Sequence, residues 1–183
     1  MVEMSIYGVS FDLVGKQPIV LLKTAEGNRY LPIWIGHSEA AAILMKLQGA
    51  TAPRPLTHDL LVNMLGELDV DVVRVTVTEL RENTFHASIT IAQNGAEVEI
   101  DARSSDAIAI AVRAQAPIFA ADEVIEESAI EMEGDEVNEE QIVDEFKRFL
   151  DKVSAEDFIE AEVEGDVGDI EDAEAETDDE EDR

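Results

Sequence analysis

The chain has 183 residues, 43 of them acidic against 13 basic, for a net charge of −30, and it has no cysteine. That length favours one domain, or one domain with a tail, and the missing cysteines exclude disulfides, thiolate metal sites and thiol nucleophiles. No stretch approaches the ~20 apolar residues of a membrane span. The best candidate, residues 107–121, is broken by Arg113, Gln115 and Pro117. With no basic-then-apolar leader at the start, the chain is expected to be cytoplasmic, with no membrane partner.

Ser5 to Leu13 alternates loosely and reads as a strand. Gly15-Lys16-Gln17-Pro18 reads as a turn, Ile19 to Thr24 as its hairpin partner, and Arg29 to Ile35 as a third strand. Pro32 gives that third strand an edge or irregular character. Ser38 is expected to cap a helix running to Gln48, with Glu39 in its first turn and Gly49 ending it. Thr57 is expected to cap a second helix, His58 to Leu68, with Leu60, Leu61, Met64, Leu65 and Leu68 as its apolar face.

Val70 to Leu80, Thr84 to Ala92 and Ala96 to Ala102 read as three further strands, the last two joined through Gln93-Asn94-Gly95. Ser104 or Ser105 is expected to cap a helix from Asp106 to Gln115, followed by short extended pieces at Pro117 to Phe119 and Glu123 to Ile125. Three strands and a helix thus occur twice, with Ser38-Glu39-Ala40 and Ser105-Asp106-Ala107 at equivalent points. That pattern suggests an internal pseudo-repeat, or else two ordinary helix caps.

The expected organisation is a domain over residues 1–125, an acidic linker over 126–137, an amphipathic helix over 138–153 and a disordered acidic tail over 154–183. Ile142, Val143, Phe146, Phe149, Leu150 and Val153 form one stripe on that helix. The stripe must bury itself somewhere, so a homo-oligomer is expected. The tail is too poor in apolar groups to offset its ordering entropy. Residues 1–125 hold 16 acids and 9 bases, and residues 126–183 hold 27 acids and 4 bases. Molar salt, with a Debye length near ~3 Å, screens such self-repulsion. A halophilic source is the first explanation, and an ordinary domain carrying an acidic tail is the second.

The sequence has no phosphate-cradling glycine loop, HExxH, GxSxG or EF-hand loop. What remains is a set of polar residues at element junctions, where sites gather because loop ends converge on a rigid scaffold. They include Glu39, His58-Asp59, Asp101, Arg103 and Asp106. Bland readings stand beside the functional ones. His58 can cap or pack, Asp59 and Asp106 can serve a helix dipole for ~0.3–1 kcal/mol, and Arg103 can pair with Asp101 or Asp106. His37 and His86 read as structural, and Trp34 reads as core.

LPIWIGHSEAAAI (Leu31 to Ile43), RPLTHDLL (Arg54 to Leu61), FHASI (Phe85 to Ile89) and DARSSDAIAIAVRAQAPIF (Asp101 to Phe119) together resemble the bifunctional nuclease family, with order and spacing intact over about residues 4–125. The high charge suggests a haloarchaeal member. The resemblance implies a compact α+β domain with a mixed, mainly antiparallel sheet and packed helices, acting on RNA and DNA. It carries over Glu39, Arg54, His58, Asp59, Asp101, Arg103, Ser105, Asp106 and Arg113. Ser104 departs from the proline usual in that motif, which removes a rigid helix entry but no charge.

Phosphodiester hydrolysis needs an activated water, a neutralised phosphate and a stabilised leaving oxygen. The implied roles are Glu39, Asp101 and Asp106 for Mg²⁺ or Mn²⁺, His58 as general acid/base with Asp59 beside it, and Arg54, Arg103 and Arg113 for phosphate. The electrostatics run the other way: no basic patch is visible, and a polyanion normally needs one. Two alternatives therefore stand, a non-catalytic interaction module using the 138–153 helix, and a small-ligand domain at the Arg54, His58 and Arg103 junction.

Overall fold

The computed structural model describes residues 1–12 and 17–131. The expected amphipathic helix at 138–153 and the acidic tail lie outside the described residues. The elements in order are β1 (Val2–Asp12), β2 (Gln17–Thr24), β3 (Arg29–Trp34), α1 (His37–Leu47), α2 (Thr57–Glu67), β4 (Asp71–Arg81), β5 (Thr84–Gln93), β6 (Ala96–Arg103), α3 (Ser104–Ala114), β7 (Ile118–Ala120), α4 (Asp122–Ser128) and β8 (Ile130–Glu131). All the strands join one sheet in the order β6-β5-β4-β7-β1-β2-β3-β8. It is mixed and mainly antiparallel, and the domain is α+β.

Alternation builds the sheet. Val20 and Leu22 of β2 pair with Ile33 and Leu31 of β3, and all four side chains are buried on one face. Val75 and Val77 of β4 pair with Ile89 and Ala87 of β5 in the same way. The β5–β6 turn places Asn94 at φ 52° and Gly95 at φ 81°, the doubly left-handed turn that matches strand twist. Glu82 and Asn83 do the same between β4 and β5, at φ 51° and 59°. A glutamate there gave no turn signal in the sequence.

The two meanders are related through β7. It runs parallel to β4 and antiparallel to β1, so the two three-stranded units point in opposite senses on either side of it. Each unit sends its helix back over the same face, where α1 packs beside α3. The small buried residues Ala40 and Ala41 of α1, and Ala107 and Ala111 of α3, let both helices approach closely. Ile43, Leu44 and Ile108 fill the layer between helices and sheet.

Several expectations change. Ser38 does not cap α1, which starts at His37 with Gly36 as N-cap. Thr57 is the first residue inside α2; the Leu56 N–H donates to the Asp59 carboxylate at 2.9 Å and closes that end. Ser104 and Ser105 both lie buried inside α3. Trp34 is 51% exposed and points from the sheet face opposite the core residues Leu31 and Ile33. The expected linker starts too early, because α4 runs on to Ser128 and β8 pairs with Arg29 and Tyr30. The fold therefore continues to Glu131.

The largest change is α2. No residue of it is buried, and Leu60, Met64 and Leu68 are 53%, 52% and 60% exposed. The periodicity reports a helix but assigns the wrong face to the core. Only Val62 packs inward. Polar anchors hold the helix instead. Arg113 of α3, with a side chain 4% exposed, donates from Nε to Asp59 of α2 at 2.6 Å, from Nη1 to the Ala109 carbonyl at 2.9 Å and from Nη2 to the Ala42 carbonyl of α1 at 3.1 Å. One guanidinium thus ties three helices together. Arg113→Met should lower the unfolding free energy in urea by about 3 kcal/mol, because it strands a partly buried carboxylate and a carbonyl. Leu60→Ser should stay within about 0.5 kcal/mol. Equal effects from the two variants would show that the brace is not what positions α2.

Candidate active site

The first turns of α1, α2 and α3 meet at one end of the helical layer. Between them lies an open cavity of about 570 Å³, lined by Ser38 and Glu39 from α1, Thr57 and His58 from α2, and Arg103 and Asp106 at the start of α3. Unpaired N–H groups and aligned peptide dipoles make such ends favourable to negative charge.

Four side chains form a continuous chain across this cavity. His58 Nε2 lies 3.0 Å from Asp106 Oδ1. Arg103 Nε donates to Asp106 Oδ2 at 2.7 Å, and its Nη2 donates to Glu39 Oε1 at 2.6 Å. The Ser38 hydroxyl donates to Glu39 Oε2 at 3.2 Å. Burial alone would raise the Asp106 pKa, but hydrogen bonds from Arg103 and His58, with the Arg103 charge, hold it below the usual carboxylate value. Asp106 and then Glu39 push Arg103 further up. The acceptor beside His58 is therefore an ionised carboxylate. A neutral imidazole in this contact carries its proton on Nε2 and leaves Nδ1 unprotonated.

Gly36 is part of this arrangement. A Cβ there would collide with the Glu39 carboxylate. Its φ of −71° is ordinary, so the requirement is space and not conformation.

Residues 20–133 match the family model of the bifunctional nuclease domain. The chain belongs to the bifunctional nuclease domain family. An uncharacterized protein of Mycobacterium tuberculosis is 41% identical over 163 residues, covering 85% of this chain and 97% of its own length. Bifunctional nuclease 1 of Oryza sativa subsp. indica is 29% identical over 103 residues, covering 54% of this chain and 31% of the rice protein. Every residue of the four-member chain falls inside the matched segment. Among the described residues no helix is long and apolar enough to cross a membrane.

The residues singled out by the bifunctional nuclease motifs separate into three groups. Glu39, His58, Arg103 and Asp106 meet in the cleft. Asp59 and Arg113 pair with each other beneath it and serve as the brace, and Ser105 is buried in α3. Asp101 is exposed on β6; its neighbours Ile100 and Ala102 pair with the core residues Ile89 and Ala87, so it points to the opposite face. Arg54 is exposed in a second cavity beside the cleft, where Lys46 joins it. The sequence reading passed over Lys46. Its signal was spacing, since it stands two helical turns after Glu39 and so on the same side of α1.

The expected metal set of Glu39, Asp101 and Asp106 does not assemble. Among the described residues no three His, Asp or Glu side chains stand together as a metal site. Glu39 and Asp106 do face one another, but the Arg103 guanidinium fills the place between them. These residues do not fit a resident divalent cation.

Lowered carboxyl pKa values have a thermodynamic consequence. Asp59 is lowered as well: burial opposes its charge, but the Leu56 N–H and Arg113 outweigh burial. With folded values below the ordinary 3.8, both groups contribute stability that is present above that value and lost as the pH falls through the lower ones. The thermal midpoint should be flat above about pH 5 and fall below about pH 4. Asp106→Asn should lower the plateau and make the acid fall shallower. An unchanged acid slope in that variant would mean Asp106 is not one of the groups responsible.

Proposed function

We propose that this protein is a nuclease that hydrolyses phosphodiester bonds of RNA or DNA, with His58 as general base, Asp106 as its orienting carboxylate and Arg103 as the phosphate ligand. The observation that carries the reading is the His58–Asp106–Arg103–Glu39 chain in an open cleft. His58 Nδ1 takes a proton from the attacking water as its oxygen bonds to phosphorus. The ester P–O bond breaks, and the departing oxygen takes a proton from solvent. Asp106 stabilises the imidazolium formed meanwhile. Arg103 is 67% exposed although it is paired. Among the described residues its Nη1 makes no protein hydrogen bond, so it can donate to a non-bridging phosphate oxygen as charge builds there.

Mg²⁺ or Mn²⁺ enters this proposal only as an ion arriving with the substrate. The charge of −30 supports work in a high-salt cytoplasm, as the haloarchaeal reading proposes. Assays therefore span low to molar salt. The open cavity argues against an enclosed small-ligand site. The interaction-module reading keeps one specific support, the apolar side of α2, whose exposed Leu60, Met64 and Leu68 could also serve self-association.

Labelled single- and double-stranded RNA and DNA, incubated with chelator or added Mg²⁺ or Mn²⁺, provide the test. His58→Ala and Arg103→Met should each lower cleavage about 100-fold or more. Lys23→Met, on β2 and outside the cleft lining, should leave it unchanged. Cleavage retained by a folded His58→Ala protein would end the mechanism, and a folded wild type inert on all four substrates would favour the interaction module.

A further inference from the structure

The cleft's side chains do not supply the positive charge that a polyanion calls for. Glu39 and Asp106 bring two negative charges, and Arg103 brings one positive charge. With a neutral base at His58, these side chains sum to one negative charge. Three helix N-termini, each about half a positive charge, roughly offset it and leave no strong net attraction. Most of the affinity for a nucleic-acid strand must come from somewhere else.

Beyond a wall formed by Pro55 and Leu56 lies a second cavity of about 270 Å³. Those two residues and Met45 line both spaces. Lys46 and Arg54 stand on its rim, with Thr51 and Asn63 as polar neighbours. Asp59 lies there too, but Arg113 neutralises it at 2.6 Å. The local balance is therefore two uncompensated positive charges. Among the described residues Arg74, Arg81, Arg103 and Arg113 are held by carboxylates, whereas Lys23 and Arg29 lack a salt bridge as Lys46 and Arg54 do. Lys46 and Arg54 have no salt bridge among the described residues, and both are exposed. Lys46 lines the cavity and lies near enough to Asp59 for its charge to favour the ionised carboxylate.

We propose that this second cavity is a phosphate subsite. Arg54 and Lys46 grip a phosphodiester neighbouring the scissile one, on the far side of the Pro55–Leu56 wall. The guanidinium fork matches two phosphate oxygens, and the ammonium adds a point charge. The substrate is then a strand with at least two phosphates. Its affinity resides at the cationic cavity, while the anionic cleft does the chemistry. Binding energy gained away from the reacting bond can hold the scissile phosphate against the cleft carboxylates. The assignment of the scissile phosphate rests on the nuclease reading, but the anion site does not.

The test is binding of a labelled single-stranded oligonucleotide to the full chain, followed by fluorescence anisotropy. His58→Ala is the background, so that turnover does not intervene. Adding Lys46→Met with Arg54→Met should weaken binding about 10-fold, and the slope of log affinity against log salt should fall by roughly 1.4, for two phosphate contacts on a single strand. Lys23→Met with Arg29→Met, an equal charge change on β2 and β3 outside the lining of both cavities, should do neither. Equal losses in the two pairs, or no loss in the first, overturn the subsite. Circular dichroism confirms that each protein is folded. With His58 intact, the Lys46 and Arg54 pair should lower kcat/KM on the oligonucleotide but leave bis(p-nitrophenyl) phosphate, which carries one phosphate, within about 2-fold. Parallel losses on both substrates also overturn it. Failure of the nuclease reading would show separately, as cleavage indifferent to His58→Ala, and the binding comparison would still decide the subsite.

Discussion

A buried guanidinium must be fully paired, and Arg113 meets that demand with acceptors from three helices. The rest of the site depends on this. Helix α2 buries no residue fully, and Val62 is its one apolar residue packed against the core, so apolar packing alone holds it weakly. Its rotation and height are set where Asp59 meets Arg113, and His58 is the preceding residue. The same brace therefore decides whether the imidazole reaches Asp106. Hydrogen-bond directions fix a side chain more narrowly than an apolar contact does.

The second arginine solves a different problem. Glu39 and Asp106 occupy equivalent points in two strand-strand-strand-helix units that run in opposite senses about β7. That arrangement brings their helix starts together, and with them two carboxylates that repel. Arg103 sits between them and bonds both. Gly36 leaves the room that Glu39 needs to lean in. The meeting of the two helix starts thus creates a carboxylate pair, and one cation makes it tolerable. The same cation keeps Asp106 ionised, which is the form that suits a histidine base.

Much of the fold was legible because it is written in alternation and turns. The strands β1 to β7 and the three longer helices stand close to where periodicity puts them, and Asn94-Gly95 announces its hairpin, whereas Glu123 to Ile125, expected to be extended, is helical in α4, and β8 was not foreseen. The site was partly legible. Glu39, His58, Arg103 and Asp106 were all marked by their junction positions, and they do meet. Asp101 looked equally well placed, but one step of strand pleat turns it to the opposite face. The burial of α2 was misread because its leucines suggest a core face, whereas its inward face is chosen by Asp59 and Val62. Trp34 was misread because an aromatic group in an apolar strand says nothing about which side of the sheet it takes. Capping was misread three times, at Ser38, Thr57 and Ser104 or Ser105. Each of these helices starts one to two residues earlier than its hydroxyl suggested, and the Asp59 carboxylate supplies the closing bond in α2.

The net charge loses much of its force as an objection once it is placed. Most of the acid lies beyond residue 125, while residues 1–125 carry 16 acids and 9 bases. Several of the bases in the body are spent on internal ion pairs, so the field that a substrate meets is set by the few that are not. Lys46 and Arg54 are two of those, and they share one small cavity beside the cleft. A uniform basic surface would hold nucleic acid along its whole length. Here two cations next to a negative cleft would hold it at one place and in one register. Electrostatic attraction at distance is weak in such a design, and at molar salt it would be screened in any case. What survives screening is short-range and geometric, namely a guanidinium fork against phosphate oxygens. Where long-range attraction is screened, a sparse pair of cations would still act at contact.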